Sequence, residues 1–275
     1  MKYCVLLLLI TYSVIGQSKI PFGQNSKLGK YASIRGFNMY YETYGKGEPL
    51  LIIHGNGGSI KDFEKQIPYF SQFYRVILAD NRSHGKSIDT QDSLSYEMMA
   101  DDFAGLLDHL NIDSAHVIGW SDGGINGLLL ASRHPKKVKK LAVTGANLTP
   151  DAVASVDPWV VENENRYVDS LSRLPTSLET KRLIKLHHMM QILPQIKHEE
   201  LRKIKCPTLV IGGDHDVILT RHTLEIAENI PNSYLWILPN SGHSTPIYYA
   251  TQFNQTVHNF LKSPYRKIEK FDKFN

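Results

Sequence analysis

Residues 115–134, AHVIGWSDGGINGLLLASRH, decide the fold. The first six, apolar apart from His116, read as a buried strand, and from Gly124 onward apolar residues recur at helical spacing. Between the two runs lies Gly119-Trp120-Ser121-Asp122-Gly123, a G-x-S-x-G turn. A strand that reverses directly into a helix must hold its central residue in a strained conformation. Strand, turn and helix crowd one another there, so the flanking positions must be small, as Gly119 and Gly123 are. The Ser121 hydroxyl then projects over the carboxyl end of the sheet, where open α/β sheets bind ligands.

Working outward, residues 31–34 and 38–44 read as paired opening strands. Residues 50–53 and 74–79 read as buried strands with a helical stretch, 60–70, between them. A helix over 96–110 carries Met99, Phe103, Leu106, Leu107 and Leu110 at helical spacing, and a strand over 138–144 follows the central unit. Strands over 207–212 and 233–238 and helices over 224–229 and 246–261 complete the pattern. Such alternation predicts an α/β fold, a mostly parallel sheet covered by helices on both faces. Between 149 and 205 the alternation stops and only helical patterns remain, over 158–171 and 178–193. This predicts a small helical lid (149–205) inserted between two parts of the core, 18–148 and 206–262, with a solvated tail at 263–275.

A serine hydroxyl is a poor nucleophile until a base removes its proton. Of twelve histidines, His243 has the best setting. It lies in Asn240-Ser241-Gly242-His243, a loop between the last strand and last helix that can reach the sheet edge. Its simpler reading is a surface residue beside the helix start at Ser244-Thr245-Pro246. The imidazole in turn needs a carboxylate to fix its tautomer. Gly212-Gly213-Asp214-His215-Asp216 ends at the same edge, and Val217-Ile218-Leu219 returns the chain inward behind Asp216. Asp216 is therefore assigned that role and Asp214 the turn.

With these residues in place, the chain from about 40 to 261 resembles the α/β-hydrolase family, whose chain order is likewise Ser, Asp, His. The resemblance rests also on His54-Gly55-Asn56-Gly57-Gly58 after a strand, and on Asp80-Asn81-Arg82-Ser83-His84-Gly85-Lys86-Ser87. In the latter the family usually has Gly where Ser83 stands. Residues 119–147 are also similar to the valacyclovir-hydrolase branch of ester-cleaving enzymes, through Gly-Trp-Ser-Asp-Gly-Gly and Gly145-Ala146-Asn147. The resemblance implies an oxyanion hole made by the backbone N–H groups of Asn56 and Asp122, which Gly55, Gly57 and Gly58 let approach the substrate. It implies a serine hydrolase acting on a carboxylic ester or related acyl substrate through an acyl-enzyme, with the triad Ser121, Asp216 and His243. A carbon–carbon bond hydrolase or a cofactor-free peroxidase would use a similar triad, and a ligand-binding protein could keep the fold without catalysis. Dehalogenases and epoxide hydrolases have Asp where this chain has Ser121.

Asp122 has two readings. An acid at a helix start is favourable in itself, and the valacyclovir-hydrolase resemblance implies that it binds a cationic substrate group. Trp159 is expected to bind substrate from the lid, and Tyr167, His187, His188, Met189 and Met190 are further candidates for pocket walls or simple lid contacts. No metal or cofactor motif occurs, since His187-His188 lacks the spacing of a helical zinc pair.

The net charge of +4 is small for 275 residues. With the basic residues scattered, the expected partner is a small-molecule acyl substrate and not a nucleic acid. The one dense run, Lys136-Lys137-Val138-Lys139-Lys140, is read as the solvated end of the helix before it. At the start, Lys2 precedes an apolar stretch over 5–15 and the small Gly16, which predicts a signal peptide at 1–17 and an exported protein. A buried strand is the competing reading. The stretch is short for a membrane span, so no stable membrane anchor is expected after its removal. Loss of Lys2 leaves 30 basic against 27 acidic residues, or +3, and loss of Cys4 leaves Cys206 without a partner, read as a buried filler. Asn81-Arg82-Ser83, Asn147-Leu148-Thr149 and Asn254-Gln255-Thr256 match the N-glycosylation pattern.

Overall fold

Two opening strands, β1 (Lys30–Ile34) and β2 (Phe37–Tyr44), form an antiparallel hairpin at one edge of the sheet. β3 (Glu48–Ile53) then runs to the centre of the sheet, and the short helix α1 (Ile67–Phe70) leads into β4 (Tyr74–Ala79), which fits between β2 and β3. In this computed structural model residues 21–154 and 158–268 are described. The signal peptide expected at 1–17 and the end of the tail lie outside the described residues.

Next come α2 (Tyr96–His109), β5 (Ala115–Trp120), α3 (Asp122–Arg133) and β6 (Val138–Thr144). Among the described residues the helices before the sheet resumes are α4 (Asp151–Ala154), α5 (Pro158–Ser172), α6 (Leu178–Ile192) and α7 (His198–Leu201). The chain closes with β7 (Thr208–Gly213), α8 (Thr220–Asn229), β8 (Ser233–Leu238), α9 (Thr245–Tyr248) and α10 (Ala250–Lys262). The eight strands lie in the order β1-β2-β4-β3-β5-β6-β7-β8, parallel from β4 onward. Strands buried on both faces need apolar residues at every position, and Leu50, Leu51, Ile52 and Ile53 of β3 are all 0–1% exposed. One face is covered by α2, α3 and α8 through Phe103, Leu107, Leu128 and Ile226, the other by α1 and α10 through Phe70, Phe253 and Val257.

Some local expectations are corrected. Residues 60–70 form not one helix but a 3-10 turn, Ile60–Phe63, followed by α1. Pro68 has no amide to donate, which suits the first turn of a helix, and α1 accordingly starts afresh there. The helix expected over 246–261 breaks at Tyr249, between α9 and α10. Before β1, residues 22–23 and 26–28 form turns, held by Glu42, which is fully buried. Its carboxylate accepts from the backbone N–H of Gly23 and Asn25, both at 2.9 Å, from Tyr40 Oη at 2.6 Å and from Tyr44 Oη.

The lysine run serves a different helix from the one expected. Lys140 Nζ donates to the carbonyls of Phe260 and Leu261 at 2.9 and 3.0 Å, capping the end of α10. Lys137 pairs with Asp108 and Lys139 with Glu48. The end of α3 carries its own cation, Arg133, bound to Asp101.

Candidate active site

β5 ends in the centre of the sheet, and α3 starts at once behind it. Ser121, at the turn, has φ 56° and ψ −122°, a region that costs a non-glycine residue of order 1–3 kcal/mol. A Cβ on Gly119 would lie 2.1 Å from the Gly123 carbonyl oxygen, and one on Gly123 equally close to that of Ile53. The tight reversal therefore admits only glycine at both places. The Ser121 N–H donates to the Thr144 carbonyl at 2.9 Å, tying the strained residue to β6.

His243 reaches this serine from the loop between β8 and α9. Its Nε2 lies 2.9 Å from Ser121 Oγ, and its Nδ1 lies 2.7 Å from Asp216 Oδ1. With Nδ1–H donating to the carboxylate, Nε2 presents its lone pair to the hydroxyl, the tautomer needed to accept a proton. Asp216 is buried and also accepts from the Ile218 N–H at 3.0 Å, which fixes its orientation. Trp120 Nε1 donates to the His243 carbonyl at 2.9 Å, so the residue before the nucleophile holds the loop that carries the imidazole. At the end of β6, Gly145 has φ +65°, and a Cβ there would lie 2.8 Å from His243 Cε1. Asp214 sits apart from the relay. Its Oδ1 accepts from the Ser241 N–H at 3.0 Å and from His215 Nδ1 at 2.8 Å, and the His215 contact leads in holding its carboxyl well below the usual range.

Ser121 and His243 open into a cavity of 710 Å³. The Gly-rich turn after β3 lies against the nucleophile, since a Cβ on Gly55 would be 3.1 Å from Ser121 Cβ. Among the described residues the N–H groups of Asn56 and Asp122 take part in no hydrogen bond. Asp122 lines the cavity and is 6% exposed. Burial pushes its carboxyl up to about 6, while Tyr96, His243 and Asn56 pull it partly back. Even so, Asp122 Oδ2 and Asn56 Nδ2 are both buried without a hydrogen-bond partner. Burial and the nearby Asp122 charge raise the Tyr96 hydroxyl well above the usual phenol range.

The helical insertion contributes Asp151, Val153, Glu164, Asn165, His187, Met190 and Gln191 to the lining. Trp159, expected to bind substrate, stands instead on α5 outside this lining and 66% exposed. Glu164 and Asn165 follow it by five and six residues, which is roughly 120–140° around the helix. Met189 is buried in the core, and His188 faces a separate groove. Tyr167 meets the His187 ring edge-on at 4.8 Å. Nothing in the local sequence marks Asp151 or Glu164 as a wall of the cavity. For Tyr96 a local signal exists, because Ser95 caps α2 by accepting the Met98 N–H at 3.2 Å, placing Tyr96 at a helix start.

The motif 80–87 braces the site from below. His54 Nε2 accepts the Asn81 N–H at 2.9 Å, and burial lowers the His54 imidazole to about 4, keeping it neutral. Arg82, 1% exposed, donates from Nε and Nη2 to Asp102 at 2.7 and 2.8 Å, from Nη1 to Asp89 at 3.3 Å, and stacks 4.1 Å over Phe37. Ser83, where the family usually has Gly, has φ 63°, and its hydroxyl is buried without a partner. Of the three glycosylation matches, Asn81 and Asn254 are buried, and Asn147 lines the cavity with its Nδ2 donating to the Thr149 carbonyl. Among the described residues no group of His, Cys, Asp and Glu is arranged to hold a metal, and no helix is long and apolar enough to cross a membrane.

Comparison with known proteins places this geometry in context. Residues 48–191, just over half of the chain, match the family model described as alpha/beta hydrolase fold. The chain is 26% identical over 248 residues to serine hydrolase BPHL of Mus musculus, covering 84% of this chain and 85% of that protein. It is 28% identical over 269 residues to 2-hydroxymuconate semialdehyde hydrolase of Pseudomonas putida, covering 86% and 95%. The solved enol-lactonase of Burkholderia xenovorans LB400 shares the fold with a TM-score of 0.68 at 24% identity, covering 85% of this chain and all of that one. The strand order, the left-handed serine between β5 and α3, and these matches together place the chain in the α/β-hydrolase family.

Proposed function

We propose that this hydrolase cleaves a carboxylic ester or a related acyl substrate through an acyl-enzyme. The observation that supports this best is the relay of two short hydrogen bonds, Ser121 Oγ to His243 Nε2 and His243 Nδ1 to Asp216 Oδ1, at the floor of a cavity. As Ser121 Oγ attacks the carbonyl carbon, His243 takes the hydroxyl proton and Asp216 stabilises the resulting imidazolium. The carbonyl oxygen becomes negative, and the uncommitted N–H groups of Asn56 and Asp122 receive it. A donor of this kind is worth about 100- to 1000-fold in rate. His243 returns its proton to the departing alkoxide, then takes one from water as that water attacks the acyl-serine. The acid leaves and the serine is restored.

The unpartnered Asp122 Oδ2 in the same cavity supports a substrate with an ammonium group next to its carbonyl. A second reading, cleavage of a carbon–carbon bond beside a carbonyl, draws on the likeness to 2-hydroxymuconate semialdehyde hydrolase. Residues 1–17 are proposed to direct export.

The test is labelling with a fluorophosphonate probe together with turnover of a panel of chromogenic esters and one vinylogous 1,5-diketone. The ester reading expects label on Ser121, faster turnover of the esters, and loss of both in Ser121→Ala. Undiminished ester hydrolysis by that variant overturns the assignment. Turnover of the diketone alone selects the carbon–carbon reading.

A further inference from the structure

The charged groups on the cavity wall are all of one sign. Among the described residues Asp122, Asp151 and Glu164 line it together with the imidazoles of His187 and His243, and no lysine or arginine does. The rest of the wall is largely apolar, with Val153, Met190, Leu193, Val217 and Ile218 among its residues, so the carboxylates are the groups that can set orientation and selectivity. Burying carboxylates without a counter-ion is costly, and Asp122 shows that cost, being 6% exposed with an oxygen that has no partner.

Glu164 lines the same cavity from the helical insertion, its side chain 43% exposed. His187 Nδ1 of α6 donates to Glu164 Oε2 of α5 at 2.6 Å, leaving the other carboxylate oxygen for a ligand. The ring of Tyr167 supports His187, and Gln191 Nε2 donates to Asn165 Oδ1 at 2.9 Å beside it, so α5 and α6 are cross-linked at this point. Such a fixed acceptor loses little side-chain freedom when a ligand arrives.

We propose that the cavity holds two cation subsites, Asp122 on the sheet side and Glu164 on the helical side, and so selects esters of basic amino acids such as lysine and ornithine. The proposal rests on the ester-hydrolase reading. Its geometry follows from covalent chemistry. In an α-amino ester the ammonium nitrogen is two bonds from the carbonyl carbon that Ser121 attacks, and Asp122 is the residue that follows Ser121. The side-chain ammonium of an extended lysine lies roughly 6–7 Å from the α-nitrogen. A cavity of 710 Å³ accommodates that span. Asp151, exposed at the mouth, adds negative potential along the way in.

The test compares kcat/KM for the methyl esters of lysine and norleucine, which differ by the distal charge, and for an uncharged acetyl ester. The proteins are the unmodified enzyme, Glu164→Gln and Asp122→Asn. The unmodified enzyme is expected to favour lysine over norleucine by at least tenfold, and Glu164→Gln to lower that ratio about tenfold. Asp122→Asn should slow both amino esters alike and leave their ratio near its original value. A lysine-to-norleucine ratio near one, or a ratio that Glu164→Gln does not change, overturns the second subsite while ester hydrolysis stands. Cleavage of the acetyl ester with neither amino ester cleaved removes both subsites and keeps the serine ester mechanism. If no ester is cleaved, that mechanism fails as well. Titration of Ser121→Ala with lysinamide and norleucinamide then tests the cavity independently of turnover, and equal affinities overturn the proposal.

Discussion

Replacing Asp122 by Asn should stabilise the protein at neutral pH, and by an amount that depends on pH in a defined way. In the folded chain burial lifts this carboxyl from 3.8 to about 6. At about 1.36 kcal/mol per pH unit, that gap corresponds to about 3 kcal/mol. The folded pKa is the raised one, so the sign is settled. Below about pH 4 the side chain is neutral in both the folded and unfolded chain and costs nothing. Between pH 4 and 6 the unfolded chain ionises while the folded one resists, and stability falls. Above pH 6 the full cost is present. Asparagine never ionises, so the stability difference between the Asp122→Asn variant and its parent should rise from near zero at pH 4 to about 3 kcal/mol at pH 8, groups common to both cancelling. For a domain of this size about 2–4 °C of melting temperature accompanies each kcal/mol, hence roughly 6–12 °C at pH 8. Thermal and denaturant melts of both proteins from pH 4 to 8 supply the comparison. A variant that is less stable than the parent at pH 8, or a difference that does not vary with pH, would refute the picture of a buried, ionised carboxylate with one oxygen unpartnered.

Other perturbations read different parts of the structure. Gly145→Ala puts a methyl group 2.8 Å from His243 Cε1 at a left-handed position, and kcat should fall about 100-fold with the far-ultraviolet spectrum retained. Normal kcat would show that the imidazole is not confined there. Arg82→Met removes the buried cation shared by Asp102 and Asp89, which keep only the outer cations Arg35 and Lys185 at 3.2 and 3.3 Å, and should cost about 3 kcal/mol in a urea titration; a loss below about 1 kcal/mol would mean that Arg82 is not buried as described. Glu42→Ala removes the acceptor shared by Gly23, Asn25, Tyr40 and Tyr44, and about 2–4 kcal/mol of stability should go with it. Hydrogen exchange should then show the amides of Gly23 and Asn25 losing protection, and unchanged protection would contradict the anchor.

The parts of the molecule that could be read from the chain are those specified by neighbours in sequence. The turn at Ser121 is set by Gly119 and Gly123 within a few residues, and strands such as 74–79 and 233–238 carry their own apolar runs. Asp216 could be separated from Asp214 because the apolar residues after it point the chain inward. The cavity walls were harder to read, since Glu164 and His187 lie 23 residues apart and meet only because α5 packs on α6. Trp159 shows the same difficulty from the other side. Its size drew attention, but the rotation of α5 that turns it away depends on what the helix packs against. The short helices α4 and α7 span four residues each, too few to display a period. Glu42 and its donors illustrate a last kind of loss, because a single glutamate in an amphipathic strand gives no hint that four groups will converge on it.

The three glycosylation signals carry a consequence for how the protein can be made. Asn81 and Asn254 are enclosed by the finished fold, whereas Asn147 is half-buried and lines the cavity. At Asn81 and Asn254 a sugar chain can therefore be attached only before folding, and a molecule that has received one there can no longer close around it. In a host whose secretory route glycosylates nascent chains, the carbohydrate would divide the product into an unmodified native fraction and a modified fraction discarded as misfolded. The proportion between the two would then record how fast each asparagine is folded out of the transferase's reach.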